Sequence, residues 1–567
     1  MLKSRSGGQL VVDALQVHGV EFVFGVPGES YLPVLDALYD SPIRFIINRQ
    51  EGGAAFMADA YGKMTGRPGI CFVTRGPGAT NAAIGVHTAF QDSTPMILFV
   101  GQVGNDFVER EAFQEIDYRR MYGQMAKWVA QIDRTDRIPE YIARAFQVAT
   151  SGRPGPVVLA LPEDMLAGLA EVADTRCYTP VQAAPSALQM AELRVRLARA
   201  QRPIAILGGS GWDAEACTQI SEFAAANRLP LACAFRFQDL VDNAHPNYAG
   251  DVGIGINPKL AQRIREADLI LAIGPRLGEM TTSGYTILQA PVPQQSLIHI
   301  HADALELGRV YQADMLINSG MPQIAAALNS MPPVDAAAWQ DSAAAARADL
   351  ANYQLEPPVF KNTDVPLNLW QVVQDLMQAV PRDAIITNGA GNYATWAHRF
   401  YRYGGWRTQL APTSGAMGYG VPAGIAAKIM QPERTVVTFA GDGEYLMNGQ
   451  ELATAVQYRA GVVIIVFNNG MFGTIRMHQE REFPARVSGT DLHNPDFAAL
   501  ARAYGASGEV VTATAEFAPA LQRALAHTRD TRLPALIELR YDGTLITPNA
   551  SLDAIRKTAL ENRARNS

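Results

Sequence analysis

Short apolar runs of three to six residues alternate along the whole chain with longer segments whose apolar positions recur at helical spacing. The first runs are Phe22 to Gly25, Phe45 to Ile47 and Ile70 to Val73, preceded by an amphipathic stretch from Leu10 to His18. Pro203 to Leu207, Leu269 to Ile273 and Ile298 to Ile300 follow, then Ala384 to Thr387, Val436 to Ala440 and Val462 to Phe467. Runs this short, apolar throughout and bounded by turn residues, predict parallel strands covered on both faces, with crossover helices between them. The alternation defines an α/β class built on doubly wound sheets.

Proline interrupts the pattern twice. Leu166 to Pro185 is mixed in polarity and reads as a surface linker, and Met331 to Pro358 encloses an alanine-rich stretch, Ala336 to Ala351, that predicts a linker helix. Three doubly wound domains with mostly parallel central sheets are therefore expected over residues 1–170, 185–345 and 360–550. The charged tail, 551–567, reads as a surface helix or a lid.

Composition narrows the function classes. A chain of 567 residues with 48% hydrophobic content exceeds one core and suits a packed enzyme. A net charge of −7, without a basic run, leaves no electrostatic footprint for nucleic acid. The 4 cysteines are widely spaced with no CxxC, so reduced thiols are expected. No apolar stretch approaches the roughly 20 residues of a membrane span, and MLKSRSGGQLVVDAL has no signal-peptide core. The expected location is cytoplasmic.

Chemistry concentrates in Thr435 to Thr474, which reads as strand, helix, strand. A right-handed crossover puts both strand ends at one sheet edge, so Asp442, held between Gly441 and Gly443, and Asn469 can reach one ion. A carboxylate and an amide oxygen are hard ligands suited to Mg²⁺, which completes its shell with water and phosphate oxygens. The glycines, and the helix opening at Met471-Phe472-Gly473-Thr474, leave N–H groups free to face an anion. Taken alone, GDG also fits a Rossmann-like unit without nucleotide. In the first domain Glu51 opens a helix at a strand end, where α/β proteins place ligands; a plain helix-dipole partner is the alternative. Asp59 reads as a solvated helix-face charge.

Gly441-Asp442-Gly443 with Asn468-Asn469 matches the motif of thiamine-diphosphate enzymes, and Arg49, Glu51, Ala54, Ala55, Ala58 and Tyr61 match their R-x-E-x-x-A-A-x-x-A-x-x-Y. With Gly76-Pro77-Gly78-Ala79-Thr80-Asn81, the segment FQDSTPMILFVGQV and Ala112-Phe113-Gln114-Glu115, the chain resembles the acetohydroxyacid (acetolactate) synthase-like family over nearly its whole length. That resemblance implies a pyruvate-oxidase/decarboxylase-like architecture, thiamine diphosphate, and Mg²⁺ held by Asp442, Asn469 and the carbonyl of Met471. It implies that Glu51 is catalytic, bonding N1′ of the aminopyrimidine so that the 4′-imine removes the C2 proton. Pro77, Asn81, Gly391, Asn392, Gly441, Gly443, Glu444, Phe472, Gly473 and Thr474 are implied cofactor contacts, with Gly415 anchoring the 4′-amino group and Met417 bending the cofactor. Phe113 and Gln114 are implied substrate contacts, with Lys127 nearby; core packing is the alternative for Phe113. Glu51 is expected from one subunit and Asp442 and Asn469 from its partner, so the minimum assembly is a homodimer and the expected one a homotetramer.

In these synthases the middle domain carries FAD, and Arg153, Gly208, Gly209 and Arg276 stand at flavin contacts; other relatives keep the domain without flavin, and both states stay open. The chain also departs from the biosynthetic pattern. Met280 replaces the arginine for the acceptor carboxylate, Gly253 to Asn257 replaces GMHGT, Asn392-Tyr393 replaces glutamine and histidine, and Met477-His478 replaces Q-W. The implied reaction is decarboxylation of a pyruvate-like 2-oxo acid and ligation of the enamine to a second carbonyl. The alternatives are a 2-oxo acid decarboxylase or C–C lyase and, from another class, a non-catalytic cofactor-binding protein, against which the presence of Glu51 argues.

Overall fold

The computed structural model describes residues 3–360 and 365–566, so Ser567 of the tail lies outside the described residues. The chain forms two compact units, Met1–Ala183 and Ala184–Ser567.

The first unit holds six strands: β1 (Phe22–Gly25), β2 (Arg44–Ile47), β3 (Gly69–Val73), β4 (Met96–Gln102), β5 (Trp128–Gln131) and β6 (Pro156–Pro162). They pair in the order β2-β1-β3-β4-β6-β5, every pair parallel. β3, β4 and β6 are buried along their whole length, as their unbroken apolar sequences predict. The expected linker from Leu166 is not a free connection. Leu169–Ala170 pairs with Arg5–Ser6, Arg5 bonds Asp174, and the Gln182 amide donates to the Gly152 carbonyl, so most of this stretch is laid along its own domain. Asp59 also departs from expectation. It is buried, not solvated, and Lys63 bridges it to Asp92 at 2.9 Å and 2.5 Å.

The second unit contains two sheets. One comprises β7 (Pro203–Leu207), β8 (Leu231–Ala234), β9 (Tyr248–Val252), β10 (Leu269–Ile273), β11 (Ser296–His301) and β12 (Met315–Asn318), in the order β9-β8-β7-β10-β11-β12. The other comprises β13 (Ile385–Asn388), β14 (Gln409–Leu410), β15 (Val436–Gly441), β16 (Val463–Asn468), β17 (Ser507–Val511) and β18 (Ala535–Arg540), in the order β14-β13-β15-β16-β18-β17. All pairs are again parallel.

Two helices differ from the periodicity, and the tail takes the helical form expected of it. The linker helix runs over Ser342–Tyr353, because Trp339 turns inward and its indole N–H donates to the Asn227 carbonyl. The helix of the Thr435–Thr474 unit is not continuous: it starts at Asp442 and breaks at Gly449 into a 3-10 turn before Leu452–Gln457. The tail forms a helix, Leu552–Asn566, tied to the helix Gly473–Glu482 by Arg556 on Glu480.

Candidate functional site

In the last sheet the chain moves from β13 out to β14 and returns on the other side as β15, so β13 and β15 flank a switch point where open α/β sheets bind ligands. Both strand ends open into a cavity of about 250 Å³. Gly391, Asn392, Gly415, Met417, Gly441, Asp442, Gly443, Glu444, Asn469, Met471, Phe472, Gly473 and Thr474 all line it, so one cavity brings together every expected contact of this domain.

Asp442 begins a helix at the end of β15. Its Oδ1 accepts from the Gly443 N–H at 2.9 Å, and its Oδ2 accepts from the Gly470 N–H and the Asn494 amide, both at 2.8 Å. Burial pushes this carboxyl above its ordinary value, against the pull of those donors. Asn469 Oδ1 accepts from the Met471 N–H at 3.2 Å, folding the 469–471 turn toward Asp442. Asn494 was not legible in the sequence: it lies beyond the motif, and nothing in its local pattern marks it. It also donates to Asn468 Oδ1 at 2.9 Å, clamping the two loops together.

The donor set fits a diphosphate with a hard cation. Asp442, Asn469 and Met471 line the cavity and offer one carboxylate, one amide oxygen and one carbonyl, while among the described residues no group of three or more His, Cys, Asp or Glu is arranged for a metal. Such a sparse set leaves positions for phosphate oxygens and water. Gly443 is required by packing, since a Cβ there would lie 2.5 Å from the Phe472 ring. Gly415 and Gly418 hold φ of +69° and +81°, the left-handed region that glycine tolerates, and so turn the chain on both sides of Met417.

Glu444 lines the cavity, but its carboxylate is committed to protein. The Tyr393 hydroxyl donates to Oε2 and the Gly418 N–H donates to Oε1 at 3.2 Å. Burial pushes this acid up to about 7, with Tyr393 acting in the opposite direction. Asn392 is tied to Thr474, whose Oγ1 accepts from its N–H at 3.0 Å and donates to its Oδ1 at 3.0 Å. His478 lies on the exposed side of the helix Gly473–Glu482.

In the first unit Glu51 is the first residue of the helix Glu51–Thr65, after β2, with Gln50 capping the turn through the Gly53 N–H. Asn81 donates to Glu51 Oε2 at 2.9 Å, and a Cβ on Gly78 would approach Oε1 at 3.4 Å, so Glu51 meets the start of the Gly76–Asp92 helix that carries Pro77 and Asn81. Gln114 sits at φ +67° and its carbonyl accepts from the Gly76 N–H. The Phe113 ring is 70% exposed, which excludes core packing within this chain. Lys127 donates to the carbonyls of Ser151 and Arg153, an anchoring role and not a channel one.

Of the flavin candidates, Arg153 turns its guanidinium to Ser93 Oγ and the Phe90 carbonyl, both at 2.8 Å, where it caps the helix Gly76–Asp92. Gly208 and Gly209 follow β7 at the switch point beside β10, and Gly209, at φ +71°, is pressed against the Gly274 backbone. Arg276 faces the buried Glu306 at 3.5 Å.

Three family models match in series: the N-terminal binding domain of thiamine pyrophosphate enzymes over residues 5–121, their central domain over 190–328 and their C-terminal binding domain over 389–539. The chain is 32% identical to the acetolactate synthase isozyme 2 large subunit of Escherichia coli, covering 96% of this chain and 98% of that protein. It is 31% identical to a probable acetolactate synthase large subunit of Methanocaldococcus jannaschii, over 97% and 95% of the two chains.

Proposed function

The chain belongs to the thiamine pyrophosphate enzymes, among relatives of the acetolactate synthase large subunits, and on that premise we propose that it decarboxylates a pyruvate-like 2-oxo acid and joins the remaining acyl unit to a second carbonyl compound. The observation behind this reading is the cavity at the β13/β15 switch point, lined together by Asp442, Gly443, Asn469, Gly473, Gly415 and Met417. Thiamine diphosphate supplies the cationic ring that accepts the electron pair released when CO₂ leaves.

The residues of the chain bind, orient and move protons. Asp442, Asn469 and the Met471 carbonyl are the proposed Mg²⁺ ligands, and the N–H groups opening the helix Gly473–Glu482 face the diphosphate. The two left-handed glycines fix the turn on which Met417 is presented as an apolar wedge. Glu51, oriented by the Asn81 amide, is the proposed proton-exchanging group, and its position in the first turn of a helix leaves one carboxylate oxygen for a ligand. Phe113 and Gln114 are the proposed substrate contacts, held through their carbonyls by Arg75 and the Gly76 N–H.

A homodimer, and a homotetramer built from it, is the proposed assembly. Leu446, Met447 and Ile475 are apolar yet exposed beside the cavity, as expected of a covered face. Sedimentation coupled to an assay tests this, and an active monomer contradicts it. The flavin is a separate question. The order β9-β8-β7-β10-β11-β12 and the glycine turn after β7 suit a dinucleotide, whereas the direction of Arg153 does not; a visible spectrum of the purified protein decides between FAD and a flavin-free domain. Among the described residues no helix is long and apolar enough to cross a membrane, and a cytoplasmic location is proposed.

The deciding experiment is product analysis with pyruvate as donor and a panel of 2-oxo acids and aldehydes as acceptors. Ligation products support the carboligase; free aldehyde alone favours the decarboxylase alternative.

A further inference from the structure

Arg236 follows β8 of the middle sheet at φ +65°, a left-handed conformation that residues other than glycine rarely hold without support. The last domain supplies that support. The Gln238 N–H donates to Gln409 Oε1 at 2.9 Å, and the Gln409 amide donates back to Gln238 Oε1 at 3.1 Å. Asp239 Oδ2 accepts from the Thr408 and Gln409 N–H groups, both at 3.2 Å. The Asn243 N–H donates to the Tyr403 carbonyl at 3.0 Å, and the Tyr403 N–H donates to Asn243 Oδ1 at 3.1 Å. Gln238 also lines a second cavity, of about 220 Å³, with Tyr248, Gly250 and Asp251 of β9 and with Asn392 and His398 of the last domain. Residues 236–243 therefore form a strut beside a gap between the two sheets.

The strut carries one buried guanidinium toward the cofactor site. Arg236 is 8% exposed, and its Nη2 donates to the Gly389 carbonyl at 2.7 Å while its Nη1 donates to the Pro412 carbonyl. Gly389 follows β13, and its N–H donates to the Tyr393 hydroxyl at 3.0 Å, which in turn donates to Glu444 Oε2. The Pro412 carbonyl also accepts from the Gly415 N–H at 3.2 Å, which closes the turn that presents Met417. At the far end of that turn the Gly418 N–H donates to Glu444 Oε1 at 3.2 Å. The two loops that line the cofactor cavity at Gly391 and at Gly415 and Met417 are thus tied to one side chain of the middle sheet.

We propose that Arg236 is a positioning residue for the cofactor site: by gripping the Gly389 and Pro412 carbonyls together it sets the spacing of the two loops, and with it the position of Met417 and the direction of the Gly415 carbonyl. The inference rests on the carboligase reading above and adds the middle domain to the groups that prepare the cofactor. A guanidinium presents its N–H donors in a rigid planar fork, which fixes two acceptors relative to each other, whereas an ammonium on a flexible stem does not. Hydrogen bonds from a charged donor are also the stronger kind.

The protein loaded with thiamine diphosphate and Mg²⁺ is compared as wild type, Arg236→Met, Arg236→Lys, Tyr393→Phe and the double variant Arg236→Met with Tyr393→Phe. In Arg236→Met, C2 proton exchange followed by NMR and kcat for pyruvate both fall about 10- to 100-fold per folded holoenzyme, while KM changes by less than about twofold. Arg236→Lys restores part of the loss. Tyr393→Phe releases the other side of the same peptide, so in the double variant the combined loss falls short of the product of the two single losses. In the cofactor-free protein, amide hydrogen exchange of Arg236→Met quickens over residues 388–393 and 411–418 and stays unchanged in β7 and β10. Unchanged C2 exchange in Arg236→Met, or a lowered Tm with kinetics per folded holoenzyme unaltered, overturns the proposal; if that variant does not fold, unchanged C2 exchange in both Arg236→Lys and Tyr393→Phe does so. If the wild-type protein binds no thiamine diphosphate, the reading above fails by itself. The clasp is then judged by amide exchange alone, which supports it if residues 411–418 quicken in Arg236→Met and overturns it otherwise.

Discussion

A Cβ placed on Gly389 would lie 1.6 Å from Oε1 of Glu444, so the end of β13 and the acid after the GDG turn occupy adjoining space with nothing between them. Gly389→Ala must displace Glu444 from the Gly418 N–H and the Tyr393 hydroxyl, and with it the turn that presents Met417. Overpacking of this kind costs about 1–3 kcal/mol. Calorimetry should show a lowered Tm, and cofactor titration a weaker Kd; a variant with unchanged Kd would mean that Glu444 does not hold that turn.

Asn494 orients Asp442 without being a proposed metal ligand. Removing such an outer partner typically weakens metal affinity by about 10- to 100-fold. Asn494→Ala should therefore raise the Mg²⁺ concentration needed for thiamine diphosphate binding by that factor, read from intrinsic fluorescence during a Mg²⁺ titration. Normal Mg²⁺ dependence would remove Asn494 from the site.

Glu51→Gln keeps the shape of the side chain and its contact with Asn81 but cannot exchange a proton. Loss of positioned acid–base catalysis lowers rates by about 10²- to 10⁴-fold. The expected result is that loss in pyruvate turnover and in C2 proton exchange followed by NMR, with cofactor Kd changed far less. Unchanged exchange would refute the assignment.

Lys63 stands between two buried carboxylates, Asp59 and Asp92. Burial would lower its pKa, but the two carboxylates outweigh that and raise it, so the stabilisation is complete below the unfolded lysine value and declines as pH rises through the higher folded one. Lys63→Ala leaves two acids buried without their cation and should cost about 3–5 kcal/mol. Urea unfolding at neutral pH measures this, and a loss below about 1 kcal/mol would place the group in the class of surface pairs.

Arg556, followed by the Ala485 N–H and then Arg476, draws Glu480 down to about 2 against the effect of burial. A depressed carboxyl stabilises above its unfolded value, and that stabilisation is lost as pH falls through the folded one. The helix Leu552–Asn566 should therefore stay docked at neutral pH and loosen as pH drops from about 4 toward 2. Hydrogen exchange across the helix reads this out, and Arg556→Ala should show the loosened pattern already at pH 7.

Nine strands, three in each sheet, were legible because a parallel strand covered on both faces must be apolar along its length, whereas β14 is only 2 residues long and β17 is only partly buried, and neither carries such a run. The gathering of Asp442 and Asn469 at one cavity was legible as well, since a parallel crossover puts both strand ends at the same sheet edge. Asp59 was misread because helical periodicity assigns a charge to solvent unless its partners are visible, and Asp92 comes from another helix. Trp339 shifted the start of a helix because its burial depends on Asn227, more than a hundred positions earlier. Glu444 stood in the motif, yet its partners Tyr393 and Gly418 belong to other loops, so sequence proximity to the cofactor site exceeded its actual availability.

The first and third sheets share one strand order, with the strands taken in sequence as second, first, third, fourth, sixth and fifth, whereas the middle sheet follows a different one. Two copies of a common module can divide labour: one has its acid, Glu51, after the second strand, and the other has Asp442 after the third. The second cavity draws part of its lining, Tyr248, Gly250 and Asp251, from the unduplicated middle sheet, so substitutions at those positions leave both copies of the module unchanged.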